Sequence, residues 1–308
     1  MINIFLGLTP FIFITSLGFL FGRIKILNLE HAKILNLFLF YIAVPALIIK
    51  LIAQNDISQI EFKQIFSYLI MQTICGLIAY LITFKYFKRS IPEAIIWALT
   101  VALSNHVTLL LPITEIYFQK GVITQVASII LMDGVILLSV IAFFLELSTK
   151  NNLNLLIFFK NLILNPMILS IIIGLLFLFF DFNIDETPIE YILNKLAACV
   201  SPLGLFATGI ILSFYTKNVF NKLSISISIL KLIISPIILL TVCFLVFNSG
   251  LPKEIPGAFF VSVAPCGVTS IVLCAAYNVS PENIIKAIFV STILSIVTIF
   301  FAIHYLTI

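Results

Sequence analysis

Two stretches of the chain gather hydrogen-bonding groups where almost everything around them is apolar. One is Ser104-Asn105-His106 with Thr108, followed by Pro112; the other is Pro265-Cys266-Gly267, followed by Thr269-Ser270. Proline removes a backbone donor and crowds the preceding turn, so each stretch is expected to interrupt a helix. A broken helix leaves unpaired amides at the N-terminus of its second half, and their partial positive charge suits a carboxylate. Asn105, Thr269 and Ser270 can add directional hydrogen bonds. These residue types favour a small organic anion over a cation as the bound species. The competing reading is that the same polar groups only fasten helices together; their concentration at two proline-marked breaks points toward a binding site.

Two titratable residues belong to the same question. His106 adjoins the first break, and histidine is the residue type best suited to exchange a proton under physiological conditions, so it is either a proton carrier or an internal hydrogen-bonding group. Asp133, next to Gly134, falls near the middle of an apolar run, where a carboxylate needs a partner, a cavity or a proton. Coupling and helix anchoring both stay open for it. The cysteines Cys75, Cys199, Cys243, Cys266 and Cys274 lie in apolar runs without CxxC or Cys/His spacing, and read as small buried hydrophobes rather than as a disulfide or metal set. No HExxH, paired-aspartate or Ser/His/Asp arrangement is present, so an enzyme is not expected and no cofactor or metal is implied.

The elements that must position these residues follow from composition. Hydrophobic residues make up 62% of the chain, charged residues 10%, and mean hydropathy is +1.23. Such a chain is an all-α integral membrane protein whose first partner is the lipid bilayer; a nucleic-acid partner is excluded. Apolar runs of about 20 residues match the length a helix needs to cross the hydrocarbon. They predict ten spans: 3–22, 33–53, 64–85, 92–117, 122–146, 155–180, 189–213, 225–247, 256–277 and 283–306. The two polar stretches then interrupt the fourth and ninth spans. Pro10, Pro45, Pro166, Pro202 and Pro236 sit in apolar helix and are expected to kink it.

The chain also repeats itself. Residues 8–21, LTPFIFITSLGFLF, return as LNPMILSIIIGLLF at 164–177 with six identical positions, Pro10/Pro166 and Gly18/Gly174 among them. Ile34-Leu35-Asn36 before Pro45 is echoed by Ile192-Leu193-Asn194 before Pro202, and Tyr117 by Tyr277. The repeats divide the chain at 1–150 and 151–308, five spans each. An odd number of spans makes the second copy enter the bilayer from the opposite side, an inverted repeat. With the N-terminus outside, eleven lysines and arginines fall in cytoplasmic turns and five in the opposite ones, which places both termini away from the cytoplasm. Lys231 is set aside as a residue that snorkels from the start of the eighth span.

At these residues the chain resembles the auxin efflux carrier family, which includes PIN-like carriers and bacterial malate and other organic-acid permeases. The resemblance runs over essentially the whole length. It rests on Pro45, Asn165-Pro166, Ser104-Asn105 followed by Pro112, and the string APCGVTSIVLCAAYNVSPENIIKAIFVSTILSI. It implies an inverted five-plus-five fold in which broken helices 4 and 9 cross in a mobile transport domain. That domain moves against a scaffold including helices 1, 2, 6 and 7. It also implies a secondary transporter of small organic anions in a bacterial inner membrane, with a proton or sodium as candidate coupling ion and a homodimer as candidate assembly. The substrate-binding set is then Asn105, Pro112, Pro265, Gly267, Thr269 and Ser270, and the coupling candidates are Asp133 and His106. Where relatives often carry glycines, this chain has Val107 and Leu110. The runner-up readings are a sodium-coupled organic-anion symporter of bile-acid-transporter architecture and a non-transport membrane assembly subunit.

Overall fold

The computed structural model describes residues 2–54, 61–149, 155–180, 182–248 and 251–307. Apart from one isolated bridge, the described residues form helices and turns without a strand. In chain order the helices are α1 (Ile2–Arg23), α2 (Leu29–Gln54), α3 (Phe62–Tyr86), α4 (Ile91–Ala102), α5 (Leu111–Tyr117), α6 (Lys120–Thr149) and α7 (Leu155–Ile163). There follow α8 (Pro166–Phe179), α9 (Pro188–Phe214), α10 (Lys222–Phe247), α11 (Pro256–Ser262), α12 (Thr269–Ala276) and α13 (Glu282–Thr307).

Among the described residues, seven helices are long and apolar enough to cross a membrane: α1, α2, α3, α6, α9, α10 and α13. The bent pair α7–α8 makes an eighth if taken as one span, with 59° between its halves. That bend corrects the reading of Pro166. It does not kink a continuous helix; it opens α8 at the first turn, where its missing N–H costs nothing, and Asn165 caps the new helix by accepting from the Met167 amide at 2.9 Å. The pairs α4–α5 and α11–α12 are too short to pass that length test, because they are interrupted where the polar stretches lie.

Three prolines inside long helical runs follow a π-helical turn. Leu39–Ala43 precedes Pro45, His106–Leu110 precedes Pro112, and Leu230–Ile234 precedes Pro236. A proline ring clashes with the carbonyl four residues back, and widening the preceding turn to i→i+5 bonding relieves that crowding. Asp133–Leu137 forms another such turn, beginning at the buried aspartate itself.

The helices pack as two groups. In one, α1 lies along α9 and α8 lies along the second half of α2. Gly18 and Gly209 allow the first of these approaches: a methyl on Gly18 would strike the Phe206 carbonyl, and one on Gly209 the Thr15 carbonyl. Without a hydrophobic drive between helices in lipid, close backbone contact of this kind is what holds a pair. In the other group α3 packs on α4 and α10, the first half of α10 on α13, and α11 on α6. The groups meet mainly where α1 and α9 approach α13 and the turn after Asn105.

Candidate functional site

The two interrupted helices meet backbone to backbone. Between α4 and α5 the chain is unwound at Leu103–Asn105, and between α11 and α12 it is unwound around Pro265–Gly267. The Asn105 amide donates to the Pro265 carbonyl at 3.0 Å and the Gly267 amide to the Leu103 carbonyl at 2.7 Å, so Ser104 and Cys266 pair as an antiparallel bridge. The Cys266 amide donates to Ser291 Oγ on α13 at 3.2 Å. Groups that would be unpaired in a broken helix thus satisfy one another, which is how irregular backbone survives away from water. Gly267 is required by the approach itself, since a Cβ there would lie 2.9 Å from both the Leu103 Cγ and its carbonyl oxygen.

Extended backbone sends neighbouring side chains to opposite sides, and Ser104 and Asn105 have separate surroundings. Ser104 Oγ donates to the Val261 carbonyl at 2.9 Å. Its lone pairs then accept from Lys231 Nζ at 2.7 Å and from the Tyr68 hydroxyl at 3.2 Å. Lys231 is fully buried, which overturns its assignment as a snorkelling residue. It stands nine residues inside α10 from Lys222, ~14 Å along the axis and beyond the reach of a lysine stem. His106 Nδ1 lies 2.6 Å from the Ser104 carbonyl, and its Nε2 is 3.1 Å from Asp133 Oδ2, off the line of a direct hydrogen bond. Gln72 Nε2 donates to Asp133 Oδ1 at 2.6 Å and to the Ala102 carbonyl at 3.2 Å. Lys231, Gln72 and Tyr68 were not singled out from the sequence as site residues. The signal that could have found Lys231 and Gln72 is a strongly polar side chain deep in an apolar span.

Asn105 takes part in a different environment. Its Oδ1 accepts from Thr108 Oγ1 at 2.5 Å, which leaves Nδ2 as the side chain's remaining donor. A cavity of about 300 Å³ opens here between the two helix groups, walled by α1, α9, α13 and the Asn105–Ile113 stretch. Thr15, Ser16, Thr208, Thr292 and Ser295 bring hydroxyls to it; Phe11, Phe19 and Phe289 bring aromatic surface; among the described residues no lining side chain is charged. A mostly apolar, concave pocket with a few placed polar groups is the usual form of a small-molecule site.

Residues 4–303 match the model of a family described as membrane transport protein. The chain belongs to that family. An uncharacterized transporter of Methanocaldococcus jannaschii is 26% identical over 280 residues, 89% of each chain. The resemblance to auxin efflux carriers read from the motifs is therefore the correct family, and the protein is a membrane-embedded member of a transporter family.

Within this membrane transport protein, the residues singled out as substrate-binding divide. Asn105 alone among them lines the cavity. Pro265 and Gly267 build the crossing through their backbones. Ser270 Oγ returns to the Gly267 carbonyl at 3.0 Å in the first turn of α12, which Thr269 opens, and Pro112 stands in the first turn of α5. The two coupling candidates, Asp133 and His106, come together although they are 27 positions apart in the sequence.

Proposed function

We propose that the protein is a secondary carrier of small organic anions, carboxylates such as malate or auxin-like acids, working by alternating access. One observation carries the reading: the cavity at Asn105 lies where two broken helices cross and where the two helix groups meet. A site between two packed bodies can be opened to either side by moving one against the other without dismantling either. The group containing α1, α2, α8 and α9 acts as the scaffold, and the group carrying the crossing moves. Asn105 Nδ2 and the Ser16 hydroxyl supply the donors that hold the carboxylate, since the hydroxyls of Thr15, Thr208, Thr292 and Ser295 donate to their own helices, and the phenylalanines cover its apolar part.

The carrier reading includes ten spans, counting α4–α5, α7–α8 and α11–α12 as one each. Five lie in 1–150 and five in 151–308, as inverted repeats. Gly18 and Gly174, 156 positions apart, support this. Gly18 sits where α1 meets α9, and Gly174 abuts Ile52 where α8 meets α2; exchanging the two sets of five spans turns one contact into the other. Both termini are then non-cytoplasmic, which cysteine labelling on intact cells checks; termini labelled only after permeabilisation refute the orientation.

The test of function is counterflow in liposomes across dicarboxylates and aromatic monocarboxylates. Saturable exchange of at least one carboxylate is the expected outcome. Non-saturable leak, or chemical conversion of the substrate, contradicts the proposal.

A further inference from the structure

Beside the crossing a buried imidazole and a buried carboxylate meet without a hydrogen bond. The Ser104 carbonyl can only accept, so His106 Nδ1, 2.6 Å away, must carry a hydrogen. In a neutral imidazole that leaves Nε2 as a bare acceptor. Nε2 lies 3.1 Å from Asp133 Oδ2, and neither atom has a hydrogen-bond partner among the described residues. The carboxylate cannot turn away freely, because Gln72 Nε2 holds its other oxygen. Gln72 in turn is fixed in orientation by donating also to the Ala102 carbonyl. Two bare acceptor atoms this close, in residues only 3% and 1% exposed, repel although they lie off a hydrogen-bond line. One proton, on either atom, makes the contact attractive.

We infer that His106 and Asp133 together form a one-proton site, and that the protein carries its organic anion with that proton. This rests on the carrier reading of Asn105 and names the coupling ion. Asn105 is the residue next to His106 and lines the cavity. An anion bound there favours the protonated pair, and by linkage the proton favours the anion to the same extent. The step is a proton arriving from water on one side as an N–H or O–H in the gap, and leaving to water on the other. Other ionisable groups near the pair are Lys231 on α10 and Tyr68 on α3, both reaching it through Ser104, and Cys266 across the bridge. The Val200–Phe214 part of α9 and α8, which pack on the two π-helical turns, contain no titratable residue. The Lys120–Met132 part of α6 contains only Lys120, at the end far from Asp133.

The test uses purified protein in liposomes with radiolabelled malate and phenylacetate, varying pH and sodium gradients separately. Each variant's acceleration by the pH gradient is divided by its own gradient-free exchange rate. The wild type should be accelerated by the pH gradient and not by sodium. In Asp133→Asn, and in His106→Gln, which keeps a donor toward Ser104 but cannot take a proton, that ratio should fall to about one. A ratio equal to wild type in both variants overturns the one-proton site. Absence of any exchange by wild type refutes the carrier reading instead, and the proton site is then decided by spectroscopy. The chain has three histidines, so ¹⁵N-histidine spectra can be assigned with His106→Gln. Expected are a proton on Nδ1 and an Nε2 signal that titrates together with an infrared carboxylic-acid band absent from Asp133→Asn. A neutral His106 protonated on Nε2, or an Nε2 titration unchanged by Asp133→Asn, overturns it.

Discussion

The two sides of the crossing, reached by adjacent residues, differ in kind. On the Ser104 side lie an ammonium, a carboxylate, an imidazole and a phenol, all buried and tied to Ser104, to Gln72 or to one another. On the Asn105 side is a cavity lined by hydroxyls and phenylalanine, with no charged side chain among the described residues. A carrier benefits from this separation. Buried charge is costly to rearrange, so the charged side can set the geometry of the crossing and hold a proton. The uncharged side stays free to take up and release a ligand. The contrast predicts that substitutions on the first side are felt in stability and in the response to a pH gradient, and substitutions on the second in gradient-free exchange.

The largest effect tests the charged side. Lys231→Met removes the donor that Ser104 Oγ accepts from and should lower unfolding stability in detergent by roughly 1.5–3 kcal/mol, with part of the loss recovered in Lys231→Met/Asp133→Asn. A fully additive double variant would mean that Lys231 and Asp133 do not sense each other. Next is Asn105→Ala, which removes the cavity's amide donor. A hydrogen bond to a charged group is worth about 1.5–3 kcal/mol, so exchange should drop on the order of ten- to a hundredfold, while the thermal midpoint moves little. A large fall in midpoint with normal exchange would erase the distinction between the two sides.

Gly267→Ala sharpens the comparison at the seam itself. The added methyl must push against Leu103 at 2.9 Å, and strain of this kind costs about 1–3 kcal/mol; both stability and exchange should suffer, because the seam belongs to both sides. The smallest effect is expected from Ser16→Ala, which removes the cavity hydroxyl that donates to no helix carbonyl among the described residues and should weaken apparent substrate affinity by roughly two- to tenfold.

Much of this arrangement was legible in the chain because proline, glycine and asparagine are scarce in apolar helix. Asn105, Pro265 and Gly267 mark the crossing by composition alone, and an aspartate in mid-span announces that something must face it. What could not be read has physical reasons too. Thr15, Thr208 and Thr292 each bond the carbonyl four residues back, at 2.9, 2.7 and 2.7 Å; a threonine so satisfied is at home in any apolar helix, so nothing in its neighbours marks it as a cavity wall. Lys231 looked like an interfacial lysine because sequence distance from a helix end does not reveal which way the helix faces. Pro166 looked like one more kink, although Asn165 before it offers a cap, the detail that turns a bend into a helix start.

The central claim is that the cavity at Asn105 is the transport site, and counterflow by wild type and Asn105→Ala, reconstituted side by side at equal folded amounts, tests it most directly. The account predicts saturable carboxylate exchange by the wild type and a loss of at least about tenfold in Asn105→Ala. Exchange at the wild-type rate by the folded Asn105→Ala protein would contradict it.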